Sequence, residues 1–455
     1  MKRLLLILFI TISIFAYNLN AQKWTKIPNV KPYINYIYAA KANSNHIYVA
    51  ADSFPSDVSL YKATFSSIGN GIAISKDGGN SFSDTSMSDK SVYCIVESVT
   101  NPNIIVASAR QNNLGKILFS WDKGSTWEDY SDRCEGTQQI IKIVNKQHEG
   151  KELFLTAALN TFFGYRFSDN FFDNCNEIPG FKIVPYDIKI STLKKDWVFL
   201  TGDHNTEGKI FRSFDNGKTF EQCSLGLEGL RILSVQPSGI LPNVVYCGAD
   251  SVTLDGKIFG KGLYISVDTG RTWNLHSIAG HSVFDIKEHP QNPWIIAVAA
   301  GTGGIWVSGK AGNEIFPINE GLPENISIRK VEFKNTPLTG AGFELFASNF
   351  GDGLYKRSGI VVSVDENLNN RATMQIYPNP ASDFLNINYN TENQNNIDVS
   401  ISDITGTIIY ETSMQVSSGI NLLKIEIPKS FNSGMYLLMI KDGLNIYRNS
   451  FVISR

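Results

Sequence analysis

Acidic side chains stand at the ends of three apolar segments, where a carboxylate would meet solvent. Asp52 ends "VAAD", Asp203 ends "LTGD" and Asp250 ends "CGAD". Two carboxylates with separated pKa values can hydrolyse a glycosidic bond, one as the acid and the other as the base or nucleophile. Polar residues also end strands on any soluble β-protein, so the alternative interpretation of each aspartate is a solvated loop cap. These three residues are the candidate catalytic groups.

Other polar residues end the equivalent apolar segments and are candidate ligand-binding groups. They are Arg110, Asn160, His204, Thr302 and Asn349. Two of the loops that follow, residues 53–70 and 251–261, are long enough to form the walls of a groove. If the segments end on one face of the fold, these side chains form a single rim on which a glycan or a protein could bind.

Motifs for other chemistry do not occur in the sequence. It has no Gly-x-Ser-x-Gly nucleophile elbow, no His-Glu-x-x-His zinc motif and no phosphate-binding Gly-Lys-Ser/Thr loop. The six histidines are scattered without the spacing of metal ligands. We therefore expect no metal and no cofactor. The formal net charge of −2 provides no basic field for phosphates, which argues against a nucleic acid partner.

A second set of aspartates lies in a short motif, Ser-x-Asp-x-Gly-x-Ser/Thr-aromatic, that occurs four times. The four copies comprise Ser75, Asp77, Gly79 and Phe82; Ser120, Asp122, Gly124 and Trp127; Ser213, Asp215, Gly217 and Phe220; and Ser266, Asp268, Gly270 and Trp273. In a turn, such an Asp can accept backbone N–H bonds, the Gly permits positive φ and the aromatic ring can pack between sheets. One carboxylate per turn cannot build a multidentate metal cage, so we interpret the copies as structural turns.

Each motif lies inside a longer repeat that predicts four strands. An apolar strand precedes the Ser, an aromatic strand follows the Gly, and two apolar strands joined by a polar turn lie upstream. Decayed copies at Phe167, Ser308 and Arg357 bring the repeats to seven, with anchors about 42 to 53 residues apart. This period is enough for one four-stranded propeller blade. Residues 22–28 have the character of a fourth strand and are expected to close the last blade.

The motif at this spacing resembles the Asp-box, or BNR repeat, of sialidases, sortilin-type receptors and xyloglucanases. The resemblance implies a seven-bladed β-propeller whose boxes lie between the third and fourth strands, on the face opposite the functional funnel. Two features of the enzymes are missing from the sequence: the Phe/Tyr-Arg-Ile-Pro motif of sialidases, and the second propeller that xyloglucanases pair across a cleft. Both departures weaken the analogy with those enzymes.

The N-terminus has the pattern of a secretory signal peptide over residues 1–21. Lys2 and Arg3 precede an apolar run from Leu4 to Ala16, and a cleavage site follows Ala21. The run is shorter than the roughly 20 apolar residues of a membrane-spanning helix, so we expect no transmembrane anchor. In an exported protein the five cysteines permit up to two disulfides, with buried free thiols as the alternative.

After the repeats, residues 359–373 predict a linker, and residues 374–455 have the short alternating strands of a small antiparallel β-sandwich. "YPNPASDFLNI", "DITG" and "SGMYLLMI" resemble the C-terminal sorting domain of type IX secretion cargo, although the ending "SFVISR" lacks the family's Lys-rich stretch. The resemblance implies Sec export through the inner membrane, then passage across the outer membrane by the type IX secretion machinery. The alternative for this segment is an ordinary carbohydrate-binding sandwich.

These observations predict an all-β protein: a seven-bladed β-propeller over residues 22–358, followed by a sorting sandwich. The expected function is that of a binding or interaction module, secreted or attached to the outer cell surface. The alternative is a glycoside hydrolase that uses two of the three candidate aspartates on the funnel face.

Overall fold

The computed structural model describes most of the chain after the N-terminus. The described residues are 23–52, 70–84, 87–112, 114–131, 140–148, 151–158, 163–167, 176–177, 183–204, 207–253, 255–312, 314–336, 342–349, 351–360, 374–391, 395–403, 407–417, 419–442 and 445–454. Every regular element in these residues is a β-strand. None of them forms a helix long and apolar enough to cross a membrane. The signal peptide assigned to residues 1–21 lies outside the described residues.

Residues 25–360 form seven four-stranded antiparallel sheets. A short first strand, β1 (Thr25–Lys26), precedes them. Sheet 1 contains β2 (Tyr33–Ala39), β3 (Ile47–Asp52), β4 (Ile72–Ser75) and β5 (Ser83–Asp84). Sheet 2 contains β6 (Ser91–Glu97), β7 (Ile105–Gln111), β8 (Leu114–Ser120) and β9 (Glu128–Asp129). Sheet 3 contains β10 (Ile140–His148), β11 (Lys151–Ala158), β12 (Phe163–Phe167) and β13 (Asn176–Glu177).

The remaining four sheets repeat the same strand order. Sheet 4 contains β14 (Val184–Ile190), β15 (Val198–His204), β16 (Glu207–Ser213) and β17 (Glu221–Gln222). Sheet 5 contains β18 (Arg231–Pro237), β19 (Val245–Val252), β20 (Ile258–Ser266) and β21 (Asn274–Ser277). Sheet 6 contains β22 (Asp285–His289), β23 (Asn292–Ala299), β24 (Ile305–Ser308) and β25 (Phe316–Pro317). Sheet 7 contains β26 (Ile328–Phe333), β27 (Phe343–Asn349), β28 (Gly353–Ile360) and β1.

The sheets are arranged as the blades of a β-propeller. The first strand of each sheet contacts the first strand of the next, from β2 through β6, β10, β14, β18 and β22 to β26, and β26 contacts β2 again. The N-terminal strand β1 pairs with β28 as the outermost strand of sheet 7, with Thr25 opposite Lys356. The ring is therefore closed by a strand from the start of the chain, in the position that the sequence predicted, which gives the seventh blade its fourth strand.

Apolar side chains fill the space between neighbouring blades. The strand β6 is buried along its whole length, as expected for a strand covered on both faces, and its sequence is correspondingly apolar. Large rings such as Tyr48, Phe119 and Phe199 are completely or almost completely buried in these layers. Burying β-branched and aromatic side chains on both faces of each sheet supplies the main stabilisation of the ring.

A β-bulge interrupts the first strand of six of the seven blades near its beginning. The bulges lie between Ile34 and Tyr36, Val92 and Cys94, Ile140 and Lys142, Pro185 and Asp187, Ile232 and Ser234, and Ile328 and Lys330. An extra residue in one strand bends that strand and changes the direction of its side chains. The bulges therefore decide which residues of the first strands have side chains that face the axis of the ring.

The C-terminal strands form a separate antiparallel β-sandwich. One sheet has the order β29 (Met374–Tyr377), β30 (Phe384–Thr391) and β33 (Gly419–Glu426). The other has the order β32 (Ile408–Val416), β31 (Asn395–Ser402), β34 (Gly434–Asp442) and β35 (Asn445–Ile453). Buried residues of both sheets, among them Ile387, Val399 and Leu438, form one core. The predicted all-β class, with a propeller followed by a sandwich, is confirmed.

Candidate functional site

The repeated motifs form closed hydrogen-bond networks within their own turns. In the fifth blade Ser266 Oγ accepts a bond from Gly270 N at 2.7 Å and donates to Asp268 Oδ1 at 2.8 Å. The Asp268 carboxylate then accepts bonds from Thr272 N at 2.9 Å and Thr272 Oγ1 at 2.7 Å. The turns at Ser75, Ser120 and Ser213 contain the same set of bonds. Each carboxylate thus stabilises the turn of its own hairpin through bonds to residues of that turn.

The glycine of each motif has a positive φ, and Gly79, Gly124 and Gly270 lie against the preceding blade. Its φ is +82° at Gly79, +87° at Gly124, +81° at Gly217 and +87° at Gly270, a conformation that other residues rarely adopt. A Cβ atom at Gly79 would lie 2.4 Å from the Phe346 ring of the seventh blade. A Cβ atom at Gly124 would lie 2.7 Å from Ile74 of the first. The turns therefore contribute to the packing between blades.

The aromatic residue of the fifth-blade motif, Trp273, adds a bond across the same boundary. Trp273 Nε1 donates to Gly270 O at 2.9 Å within its turn and to Cys223 O at 2.8 Å in the fourth blade. Trp127 Nε1 donates to Gly124 O at 3.0 Å. Phe82 and Phe220 are partly buried against the cores beside them.

Hydrogen bonding lowers the pKa of the turn carboxylates. Bonds from Ser81 and Ser75 hold the pKa of Asp77 well below its usual range. Desolvation raises the pKa values of Asp122 and Asp215, but their hydrogen bonds outweigh it and both values are lowered. These three groups are ionised acceptors at neutral pH.

The candidate rim residues lie at the opposite ends of the blades from these turns. In the first blade Ser75 is opposite Ile47, the first residue of β3, whereas Asp52 is the last residue of β3 and lies opposite Tyr33. The other blades have the same register. Arg110 is opposite Ser91, Asp203 is opposite Val184, Asp250 is opposite Arg231 and Asn349 is opposite Ile328. We call this end of the ring, where second strands end and first strands begin, the funnel face.

Some candidate residues can be placed only in part. Asp52 and His204 end β3 and β15 on the funnel face, but the structure does not describe their side chains. Asn160 and residues 53–69 of the first long loop lie outside the described residues. Asn349 Oδ1 accepts a bond from Ser327 N at 3.2 Å, which links the last residue of β27 to the residue just before β26.

Asp250 is the centre of a buried ion pair. Arg231 Nε donates to Asp250 Oδ1 and Arg231 Nη2 to Asp250 Oδ2, each at 2.7 Å. The Asp250 side chain is 1% exposed and that of Arg231 is 24% exposed. The sequence predicted a solvent-facing carboxylate here. The carboxylate is buried instead, because Arg231 begins the neighbouring strand and covers it.

Asp203 is the other rim carboxylate whose side chain the structure describes, and it lies in the fourth blade, next to the blade that carries Asp250. Tyr186 Oη donates to Asp203 Oδ2 at 2.8 Å. Burial lowers the pKa of Arg231, but the bond to Asp250 and the charges of Asp250, Tyr186 and Asp203 raise it more, so the guanidinium is firmly cationic. Tyr186, Asp203, Arg231 and Asp250 therefore form one polar cluster, which we call the rim cluster.

Sequence reasoning missed Tyr186 and Arg231. Both lie near the beginning of a first strand, and Tyr186 lies in the bulge between Pro185 and Asp187. The available signal was a polar or aromatic residue ahead of the apolar part of "VPYDIKI" and "RILSVQP". That signal does not say which second-strand residue will be opposite, because the pairing depends on the bulge.

A hairpin extends from the fifth blade beside the rim cluster. The strands β19 and β20 continue past Asp250, with Val252 opposite Ile258. Val252, Ile258 and Phe259 are 42%, 53% and 48% exposed. The loop that was expected to form a wall is thus a short β-hairpin with an apolar surface, and we call it the rim hairpin.

The cysteines and metal ligands offer no further site among the described residues. Cys94, Cys223 and Cys247 are free and buried, which excludes two disulfides; Cys134 and Cys175 lie outside the described residues. Burial raises the pKa of these three thiols. No group of three or more His, Cys, Asp or Glu side chains that could hold a metal occurs in the part of the chain that the structure describes.

One family model matches the end of the chain. Residues 375–454 match the secretion system C-terminal sorting domain. This confirms the prediction for the C-terminal sandwich and assigns it a role in export to the cell surface or the medium.

The chain is similar to known proteins at low sequence identity. YCF48 from Cyanidioschyzon merolae is 10% identical, with a TM-score of 0.52 over 74% of this chain and 98% of that one. The GH74 enzyme of Niastella koreensis is 12% identical, with a TM-score of 0.47 over 91% of this chain and 65% of that one. Vacuolar protein sorting/targeting protein 10 of Aspergillus clavatus is 26% identical over 238 residues, 47% of this chain but only 16% of that protein's length.

Proposed function

We propose that the chain is an exported β-propeller that binds a ligand on its funnel face and is delivered by its C-terminal domain. The match to the sorting domain and the propeller fold support export of a propeller. The domains proposed are a signal peptide over residues 1–21, a propeller over 22–358, a linker over 359–373 and the sorting domain over 374–455.

The observation that carries the binding function is the state of Asp250. A general acid, base or nucleophile must come within hydrogen-bond distance of its substrate. Both oxygens of Asp250 instead accept bonds from Arg231, and the carboxylate is buried. Asp250 therefore supports a positioning role: it holds the guanidinium in one orientation on the rim.

The rim presents groups suited to recognition. The partly exposed Arg231 guanidinium can donate to carboxylate or hydroxyl oxygens. Phe259 and Ile258 on the rim hairpin provide an apolar surface against which a sugar ring or an apolar side chain can pack. An extracellular glycan with carboxylate groups fits this combination, and an acidic protein segment is the other ligand of the same chemistry.

Binding is tested with the full mature chain and polygalacturonate immobilised on agarose. We expect the wild type to be retained and Arg231→Gln to lose retention by about tenfold, because the substitution removes a charged donor. Arg271→Gln is the matched control, since Arg271 is an exposed residue of the fifth-blade Asp-box turn. Equal losses from both substitutions would show non-specific charge attraction and contradict a site on the funnel face.

The competing hypothesis is a glycoside hydrolase that uses Asp203 with Asp52. Incubation with xyloglucan, polygalacturonate and sialyllactose, followed by assay of reducing sugar and free sialic acid, tests it directly. We expect no product above the level of Asp203→Asn. Turnover that this substitution abolishes, with an unchanged melting temperature, would replace the binding function by hydrolysis.

Export is tested by deleting residues 374–455 in the host. We expect the shortened chain to accumulate in the periplasm as a protease-resistant propeller, while the full chain reaches the cell surface or the medium. Normal appearance of the shortened chain outside the cell would contradict the role of the C-terminal domain.

A further inference from the structure

The sixth blade has a run of glycines at its funnel-face end. Its second strand, β23, is followed by Gly301, Thr302, Gly303 and Gly304, whereas side chains such as Asp203 stand at this position in other blades. Thr302 is exposed and Gly303 is half-buried. We call residues 301–304 the glycine ledge. Because most of its residues have no side chain, a ligand could lie directly on its backbone.

Hydrogen bonds fix the shape of the glycine ledge. Gly304 N donates to Gly301 O at 3.0 Å and closes the turn. On the other side, Gly303 O accepts bonds from Trp306 Nε1 at 3.1 Å and from Asn319 Nδ2 at 3.0 Å. A surface that is already held in place does not have to be ordered when a ligand binds, which favours recognition.

One end of the ledge joins the seventh blade beside a stacked pair of side chains. Gly301 N donates to Ile328 O and Ile328 N donates to Gly301 O, each at 3.0 Å. The next residue, Arg329, holds its guanidinium carbon 4.7 Å from the centre of the Phe284 ring. A Cβ atom at Gly301 would lie 3.0 Å from the same ring. The half-buried Phe284 ring therefore lies against both the ledge and the guanidinium.

The other end of the ledge reaches the fifth blade through a second half-buried ring. A Cβ atom at Gly303 would lie 2.7 Å from the His281 ring. His281 O accepts a bond from Gly262 N at 2.9 Å, and a Cβ atom at Gly260 would meet the backbone of His281. Gly260 directly follows Phe259 of the rim hairpin. One continuous surface therefore runs from the rim hairpin over His281 to the glycine ledge.

We propose that the funnel-face ligand is an extended acidic polysaccharide and that the glycine ledge is a second subsite for it. The inference rests on the proposed binding function: one uronate binds at Arg231, and a later sugar ring packs on the ledge between Phe284 and His281. Arg231 begins β18 and His281 follows β21, so three strand spacings of about 4.8 Å separate them by roughly 14 Å. A single sugar ring cannot span that distance.

The surface of the ledge suits a sugar better than a peptide side chain. Phe284 and His281 pack directly on glycine backbone, so rings and ledge form one surface. The C–H groups of a pyranose ring can pack on such a surface. The exposed Thr302 hydroxyl and the half-buried Arg329 guanidinium can bond the hydroxyl and carboxylate oxygens of the same sugar.

The subsite is tested by calorimetry on the full mature chain with galacturonic acid as a monosaccharide and as a hexasaccharide. We expect Phe284→Leu to weaken hexasaccharide binding by about fivefold, because it removes the ring on which the sugar packs. Monosaccharide binding should be unchanged. Phe316→Leu is the matched control, at an exposed phenylalanine in the outermost strand of the same blade. Equal hexasaccharide affinity in both variants would overturn the proposal.

A second variant tests the ledge without removing a ring. Gly303→Ala places a methyl group against the His281 ring, while the φ of Gly303 lies outside the left-handed region and allows an alanine. We expect hexasaccharide affinity to fall by at least about fivefold at an unchanged monosaccharide affinity. An unchanged hexasaccharide affinity in the folded Gly303→Ala variant would contradict contact with the ledge.

Failure of this subsite is distinguishable from failure of the binding function. Arg231→Gln should weaken both sugars, since it changes the first subsite. If Arg231→Gln weakens both while Phe284→Leu and Gly303→Ala change neither, the ligand binds at the rim cluster and the ledge is not a subsite. If the wild type binds neither sugar, the proposed binding function and the subsite both fail.

The class of ligand is tested with a hexa-aspartate peptide. We expect it to bind no more tightly than the monosaccharide and to be insensitive to Phe284→Leu, because it has no sugar ring for the ledge. Binding as tight as that of the hexasaccharide, with the same loss in Phe284→Leu, would overturn the assignment to a polysaccharide in favour of an acidic protein segment.

Discussion

The turns of the repeated Ser-x-Asp-x-Gly motif and the rim cluster use the same side chain in opposite ways. Asp268 lies in an exposed turn, and its carboxylate accepts bonds from residues four positions along the chain. Asp250 is buried, and its carboxylate is bound by a residue from another strand, 19 positions away. The first arrangement is local and is repeated from blade to blade. The second depends on the register of two strands and gives one blade the partly exposed guanidinium on which the proposed binding function rests.

Removing the buried carboxylate should have the largest effect of any single change in the two regions. We expect Asp250→Ala to lower the free energy of unfolding by about 3 kcal/mol, because it leaves the Arg231 guanidinium without its partner in a partly buried position. Urea denaturation measures the loss. Asp250→Asn is the control, since it keeps the size of the side chain and should cost less. A loss smaller than that of Asp268→Ala would contradict the comparison.

Removing a turn carboxylate should have an intermediate effect on stability and none on binding. We expect Asp268→Ala to lower the free energy of unfolding by about 1 to 3 kcal/mol, because backbone donors in the turn lose their acceptor. Single substitutions at Asp77, Asp122 and Asp215 should behave alike, and their effects should add because the turns lie in different blades. An unchanged melting temperature with lost ligand binding would show that the turn is the functional site.

Acidification should weaken the turns. The folded-state pKa values of Asp77, Asp122 and Asp215 are lowered, so their contribution to stability is complete above the unfolded value near pH 4 and is lost as the pH falls below it. Because these carboxylates are exposed, we expect less than about 1 kcal/mol for each turn. Denaturation at pH 5 and pH 2.5 checks this against a variant with all three replaced by Asn. Equal pH dependence in both proteins would contradict it.

The rim hairpin should show the smallest effect on stability together with a clear effect on binding. Phe259 is 48% exposed, so Phe259→Ala should change the free energy of unfolding by less than about 0.5 kcal/mol. Retention on polygalacturonate should fall, because the ring that packs against the ligand is lost. Leu275→Ala, at an exposed residue of the outermost strand of the same blade, is the control. Equal retention in both variants would exclude the hairpin from the site.

The sequence predicted those features of this protein that depend on residues close together in the chain. The Ser, Asp and Gly of each motif lie within five consecutive residues, and the bonds that they form do not depend on the rest of the fold. The number of repeats and the outermost position of β1 followed from the alternation of apolar segments. The C-terminal sandwich was recognised because its motifs are also local.

The rim could be predicted only in outline. The strand ends that carry Arg110, Asp203 and Asp250 lie on the same face, as the repeat predicted. Whether each side chain is exposed or covered depends on its neighbour in the first strand. Arg231 covers Asp250, and Tyr186 contacts Asp203 from a bulge, an irregularity that alternation of residue types does not show.

The sequence by itself determined the blades, their turns and the sorting domain, because these depend on residues that are close together in the chain. Only the tertiary structure decided which charges meet at the axis. Tyr36, Lys142 and Lys287 are about 250 residues apart at the extremes, and nothing in their local patterns connects them. Closure of the ring brings them within a few ångströms of one another, where burial strengthens the ion pairs that the two lysines form.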